Sequence, residues 1–292
     1  MILGSKKHTL TMRGRNIFHG YLFILPWIIG FAVFILYPLI YSIIISLNEI
    51  KIRPEGTLMT WKGLFFYDYA LNQTVFFRTA LAESVSMITY MTPIILVFSI
   101  LIAILLNGKY PMRAFFRGVF FMPVIIMSGP AISQLLTKYT VDFSDKVPAV
   151  YDFLSQLPEV LGTPCKYVLD NLILLLWMCG VQILIMLAGL QKISPALYEA
   201  ASIDGASAWE CFWKITLPHL APLILISAVY TVIDLANYTN GAVNKIIVGE
   251  IFNTNYLYSY SAAMAWIYFL IVAIILVAVL LLFKMFGRKA RT

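Results

Sequence analysis

Residues 193–222 read ISPALYEAASIDGASAWECFWKITLPHLAP, an island of small and polar residues between long apolar runs. It carries three acids, Glu199, Asp204 and Glu210. Ser194 before Pro195 is an N-cap followed by proline at the first helical position, so a helix starts there. Ala196, Leu197, Ala200 and Ala201 recur at helical spacing and give that helix a smooth face. Gly205 ends it. Ser207 and Glu210 then have the spacing of a capping box, which starts a second helix, and Pro218 opens the next apolar run. The stretch predicts two short helices about a glycine elbow, a shape that a soluble partner can grip.

What surrounds the island is membrane. The chain has 292 residues, of which 61% are hydrophobic and 12% charged. A soluble globule carries about 25% charged residues, so that class is excluded. A bilayer crossing needs about 20 apolar residues. Six stretches qualify, near Gly20–Leu47, Ala82–Leu106, Phe115–Leu136, Tyr167–Leu190, Pro218–Leu235 and Tyr258–Phe283. The fold class expected is all-α: a polytopic membrane protein of six transmembrane helices with a two-helix cytoplasmic loop. Residues 1–19 form a leading tail, 20–286 the transmembrane domain with its loop at 193–217, and 287–292 a closing tail.

Lysine and arginine set the orientation. With the N-terminus inside, 13 of the 21 basic residues lie in the cytoplasm, among them Lys6, Lys7, Arg13, Arg113, Lys192, Lys214 and Arg288. Of the 14 acids only Glu199, Asp204 and Glu210 are inside, ten are outside and Asp234 lies within a span. Both termini are therefore expected in the cytoplasm of a cell whose plasma membrane the chain crosses many times. The net charge of +7 follows from this orientation and needs no nucleic acid to explain it. The apolar run to Leu47 is too long for a signal-peptide core and no small-residue cleavage site follows, so it is read as a retained first helix.

No site for bond chemistry is visible. Cys165, Cys179 and Cys211 fall outside, within a span and inside, which leaves no common metal site. His8, His19 and His219 are scattered, and no phosphate loop, GxSxG or HExxH occurs. The chain is not expected to be an enzyme or to bind a cofactor or metal.

Among the connecting segments, Asn48–Thr79 shows little beyond a turn at Pro54–Gly56 and a set of aromatics. Val147, Val150, Tyr151, Leu154 and Leu157 repeat at helical spacing and predict a short amphipathic helix on the outer surface. Span two carries Thr89, Thr92, Pro93 and Ser99, which suggests a kinked helix facing the interior. Span three carries Pro123, Gly129 and Pro130, which implies irregular backbone buried in protein or lining a cavity. Asp234 is the one carboxylate at membrane depth. At mid-bilayer it costs about 2.5–3.5 kcal/mol on insertion scales, so it either faces a cavity or partner or sits at the wet interface. Flat aromatic faces with amides and carboxylates suit sugars, and the candidates at suitable depth are Tyr90, Gln134, Trp177, Gln182, Tyr230, Asp234, Asn237 and Tyr238. Helix packing and interhelical hydrogen bonding are competing roles for each.

The segment AGLQKISPALYEAASIDGASAWECFWKITLPHLAP resembles the EAA cytoplasmic loop of permease subunits in type I ABC importers. The signature falls on Glu199, Ala200 and Ala201, its glycine on Gly205, and its closing I-x-LP on Ile215, Leu217 and Pro218. Leu190, Gln191, Tyr198, Asp204 and Ala206 are similar to the carbohydrate-uptake branch. FILPWIIGFAVFILYPLIYSIIISL, LLNGKYPMRAFFRGVFFMP and YSYSAAMAW extend the likeness over most of the chain. Asn240–Gly241–Ala242 departs from the family's glycine-glycine-proline pattern, and Leu135–Leu136–Thr137 replaces its late tryptophan in span three. A six-span core alone is expected, without the large external domain and extra leading helices of the maltose-type permease.

This resemblance implies a bacterial importer of a sugar or oligosaccharide. A second permease subunit, in a heterodimer, would complete the pathway. Two ATPase subunits would hold the ATP and magnesium, each gripping one EAA loop, and an extracytoplasmic binding protein would deliver substrate. The coupling residues carried over are Glu199, Ala200, Ala201, Asp204, Gly205, Ile215, Leu217 and Pro218. A stand-alone secondary transporter or channel is the alternative, and it predicts paired broken helices in an internal repeat that the sequence does not show. A membrane scaffold docking a soluble factor is a third reading.

Overall fold

The structure, a computed structural model, describes residues 12–53, 56–108, 115, 118, 147–158, 162, 165–166, 169–251 and 257–289. It is helical apart from one hairpin among the described residues. The chain divides into two compact units, Met1–Gln73 with Ile247–Trp266, and Thr74–Ile246 with Ile267–Thr292.

In the first unit α1 (Met12–Phe31) passes through a π turn at Ala32–Leu36 into α2 (Tyr37–Leu47). Together they supply the span Gly20–Leu47, whose apolar stretch is unburied within this chain until Ser46 near its end. Pro26 and Pro38 are both accommodated inside helix. The strands β1 (Asn48–Arg53) and β2 (Gly56–Trp61) follow, antiparallel, with Asn48 opposite Trp61 and Arg53 opposite Gly56. This hairpin was not expected from the sequence. Its register places Glu49 opposite Thr60 and Ile50 opposite Met59. The predicted turn lies between the strands, with Pro54 and Glu55 outside the described residues. The Ile50 amide donates to Ser259 Oγ at 3.2 Å and Ser46 pairs with Tyr67 Oη at 2.7 Å. Glu49 is nearly buried between Lys51 at 3.1 Å and Lys62 at 3.4 Å. The Lys51 ammonium, and then Lys62, hold its carboxyl below the usual carboxylate range. A short helix α3 (Phe65–Asp68) completes this region.

The second unit is built on α4 (Val75–Asn107), whose 33 residues make a rod of about 50 Å. Pro93 lies inside it without ending it; Thr92 and Ser99 are buried, whereas Thr89 is exposed and bonds its own helix at Val85. The helix α5 (Pro148–Gln156) forms where the periodicity placed it, burying Leu154 and leaving Phe153 exposed. The fourth span is two helices, α6 (Leu172–Met178) and α7 (Gly180–Leu190), joined through Cys179. The ladder survives the joint, because Cys179 N donates to Leu175 O and Ile183 N to Cys179 O.

After α7 come α8 (Pro195–Ile203), α9 (Ala208–Cys211) and α10 (Leu217–Ala236), then α11 (Ala242–Glu250) and α12 (Leu257–Lys289). α4, α7 and α10 pack on one another around Met91, Ile95, Ile183, Met186, Leu220 and Val232. Gly189 makes that packing close, since a Cβ there would overlap the side chains of Leu220 and Leu223. Among the described residues, four helices are long and apolar enough to cross a membrane by themselves: Gly20–Leu47, Val75–Asn107, Ala208–Ala236 and Tyr258–Met285. α6 and α7 make the fourth span in two pieces, and the third span lies outside the described residues apart from Phe115 and Gly118.

Candidate functional site

The elbow is built as its residues dictate. Ser194 has the extended backbone of an N-cap (ψ 129°) with Pro195 first in the helix, although its hydroxyl makes no capping bond. At the other end Gly205 N–H donates to Ser202 O at 3.1 Å and Ala206 N–H to Ala201 O at 2.9 Å. That pair of bonds is a Schellman stop, which needs a left-handed residue, and Gly205 has φ +81°. Ser207 then caps α9. Its Oγ accepts from Glu210 N at 3.3 Å, while Glu210 Oε2 accepts from Ser207 N at 2.9 Å. These bonds to Ser207, followed by the charge of Lys214 at 3.6 Å, hold the Glu210 carboxyl below its ordinary range.

One further contact ties the elbow to the bundle. Tyr198 Oη meets Thr216 Oγ1 at 2.8 Å, linking α8 to the π turn Phe212–Thr216 that enters α10. Behind this bond lies a cleft of about 410 Å³, whose walls include Asn107 of α4, Leu190 of α7, Ser202 of α8 and Cys211 of α9. α8 itself has no buried residue. Glu199, Ala200 and Asp204 are exposed and Ala201 half-buried; Ile203 is 87% exposed. A nine-residue helix is too short to hold itself in water, so capping and the Tyr198 bond fix it. Ile215 and Leu217 are half-buried and Pro218 exposed where the elbow runs into α10.

Of the candidate pathway residues, the structure brings Trp177 and Tyr238 together and ties Gln182 to Thr231, which is outside the set. The Trp177 ring stands edge-on to Tyr238 with centroids 6.4 Å apart. Gln182 Nε2 donates to Thr231 Oγ1 at 2.8 Å, and Gln182 has no exposed surface. Tyr230, Asp234 and Asn237 follow one another at helical spacing at the end of α10, the first two half-buried. Asn237 is exposed and donates to Ile233 O. Tyr90 is 38% exposed on α4, and Gln134 lies outside the described residues.

Residues 63–292 match the family described as binding-protein-dependent transport system inner membrane component. The chain belongs to that family. It is similar to the probable ABC transporter permease protein YesP of Bacillus subtilis, 29% identical, with 96% of this chain and 94% of the relative covered. The arabinooligosaccharides transport system permease protein AraP of the same species is 30% identical over 91% of this chain and 88% of its own. The lactose transport system permease protein LacF of Rhizobium radiobacter is 26% identical, covering 88% and 91%. The fold is that of a chain in the crystal structure of a bacterial ABC transporter involved in the import of the acidic polysaccharide alginate. That likeness has a TM-score of 0.65 at 20% identity, covering 93% of this chain and 96% of that one.

Several residues that shape this permease left little trace in its sequence. Asn244 donates to Ala236 O at 2.9 Å and Tyr238 O at 2.8 Å, so it closes the turn between α10 and α11. Tyr268 Oη reaches the same Ala236 carbonyl at 3.1 Å. The asparagine two residues into a helix start was a usable signal, because such side chains bond nearby backbone. Tyr268, inside an apolar run, offered none. The departure at Asn240–Gly241–Ala242 resolves into a tight turn, in which Gly241 N–H donates to Tyr238 O at 2.9 Å.

Proposed function

We propose that this permease is one membrane subunit of an ATP-driven importer for a sugar or oligosaccharide. An extracytoplasmic binding protein delivers the substrate, and ATPase subunits in the cytoplasm drive the cycle through α8. One observation carries the reading: α8 buries no residue in its own chain, yet the stop at Gly205 and the Tyr198–Thr216 bond hold it in place. A helix held rigid with its outer side exposed transmits force only if something outside grips it. Glu199 offers the gripping partner a charge-assisted hydrogen bond, and Ala200 and Ala201 admit close approach. Force on α8 passes through the Tyr198–Thr216 bond to α10, the helix carrying Tyr230 and Asp234.

Substrate class is supported by the relatives, among them permeases named for lactose and arabinooligosaccharides. Trp177 with Tyr238 offers an aromatic edge and Asp234 a hydrogen-bonding carboxylate on the same unit. A heterodimer with a second permease completes the pathway, both termini lie in the cytoplasm, and ATP and magnesium stay on the ATPases. The test is co-purification with the ATPases, whose turnover should rise when a loaded binding protein is added. Glu199→Lys should abolish that rise; if it leaves the rise intact, α8 is not the coupling element.

A further inference from the structure

Gln182 is held by only half of its amide. It lies on α7, in the core shared with α4 and α10, and has no exposed surface. Its Nε2 donates to Thr231 Oγ1 of α10 at 2.8 Å, and Thr231 Oγ1 donates in turn to Ser227 O at 2.7 Å. Gln182 Oε1 has no hydrogen-bond partner among the described residues, and neither has Ser227 Oγ. Ser227 is fully buried as well. An oxygen that accepts and a hydroxyl that can donate are thus both left single in one helix interface, where an unmade hydrogen bond is expensive.

Spacing relates the two. Ser227 precedes Thr231 by four residues, so their hydroxyls lie on one face of α10, one turn or about 6 Å apart. Thr231 stands at the Gln182 amide, and Ser227 stands one turn nearer the helix start. A slide of α10 toward its own C-terminal end, by one turn at most, carries Ser227 Oγ to Gln182. There the hydroxyl donates to Oε1 or takes over from Thr231 as the acceptor for Nε2. The neighbouring surface permits the slide. Gly189, about two turns along α7 from Gln182, faces Leu220 and Leu223 of α10 and has no side chain to lock their register. Ratchets of up to one turn between packed elements are a known form of switching.

We propose that Gln182 is a positioning residue with two settings. It holds α10 through Thr231 in the present form and through Ser227 in a second form, reached when α10 slides along α7. On the reading that α8 takes up the push of the ATPase, the Tyr198–Thr216 bond delivers that push to the start of the sliding helix. The drive rests on that reading; the two settings of Gln182 do not.

The test is pulsed electron paramagnetic resonance on the transporter with its ATPases in nanodiscs. Spin labels are placed at Leu176→Cys and Ile226→Cys in a cysteine-free background, both positions being exposed. Trp177 meets Tyr238 just past the end of α10, so Leu176 stands near that end, and Ile226 lies about three turns before it. The slide therefore shortens the distance between labels, by up to about 6 Å. With the non-hydrolysable analogue AMP-PNP bound, both distances should be populated. Thr231→Val removes the partner of the present setting and should raise the ratio of shorter to longer distance by about fivefold; Ser227→Ala should lower it by about the same factor. In a Gln182→Leu background both effects should vanish. If that variant assembles poorly, the opposite signs of the two single variants decide. Shifts in the same direction, shifts that persist in full without Gln182, or one distance that neither AMP-PNP nor any variant alters would overturn the proposal. The readout needs neither sugar nor ATP turnover, so it stands or falls apart from the Glu199→Lys test of coupling.

Discussion

Replacing Gly205 is expected to uncouple the transporter in graded steps. Its φ of +81° is left-handed, and a Cβ added there meets nothing within 4 Å. The cost of a side chain is therefore backbone strain alone. A left-handed conformation costs an ordinary L-residue about 1–2 kcal/mol, less for asparagine, and more for a β-branched residue. One to two kcal/mol shifts a local equilibrium by a factor of about 5–30. In the shifted form the bonds from Gly205 to Ser202 and from Ala206 to Ala201 are lost, and α8 no longer stops where it should. Binding-protein-stimulated ATP turnover should thus decline in the order Gly205, G205N, G205A, G205V. Thermal unfolding of the transmembrane unit should barely change, since Gly205 is exposed. Equal stimulation in G205N and G205V, or a wild-type value for G205V, would refute the reasoning.

Four other outcomes follow from the same geometry. The Glu210 carboxyl is held low, so its cap is fully present above the ordinary carboxylate pKa of about 4.3 and is lost as pH falls through the lowered folded value. Rate-corrected hydrogen exchange of the Glu210 amide should accordingly be flat from pH 8 to 5 and quicken only in stronger acid. Gly189→Leu forces α7 from α10 against Leu220 and Leu223 and should lower stability by about 1–3 kcal/mol, read as a drop in Tm. A membrane-impermeant maleimide applied to intact right-side-out vesicles should label exposed Cys165 and spare Cys211; Cys179 should react only after unfolding. Trp177→Ala and Asp234→Asn should each raise KM for the transported sugar in reconstituted vesicles, and unchanged values for both would remove these residues from the pathway.

The elbow was legible because its signals are local. Ser207 and Glu210 sit three apart, Gly205 is the residue best suited to a left-handed stop, and Pro195 directly after Ser194 favours a helix start. The spans were legible because their length and hydropathy report on the solvent rather than on neighbours. The hairpin was missed, although the alternation of Glu49, Ile50, Lys51 and Ile52 was in view. A two-stranded hairpin is marginal alone, and this one depends on Ser259, more than 200 residues away. The split of the fourth span at Cys179 had no sequence mark either, since it costs the ladder nothing. Gln182 shows why the pathway was hardest to read. A glutamine in a span is equally suited to a solute and to a neighbouring helix, and here its amide is held by Thr231.

The most direct test of the central claim is a cross-link from the tip of α8. In a cysteine-free background, Ile203→Cys replaces the most exposed large residue of the elbow. A disulfide scan against surface cysteines on the ATPase should give an adduct between the two subunits whose yield changes on ATP binding. Adducts confined to membrane partners or the binding protein, with none to the ATPase, would contradict the account.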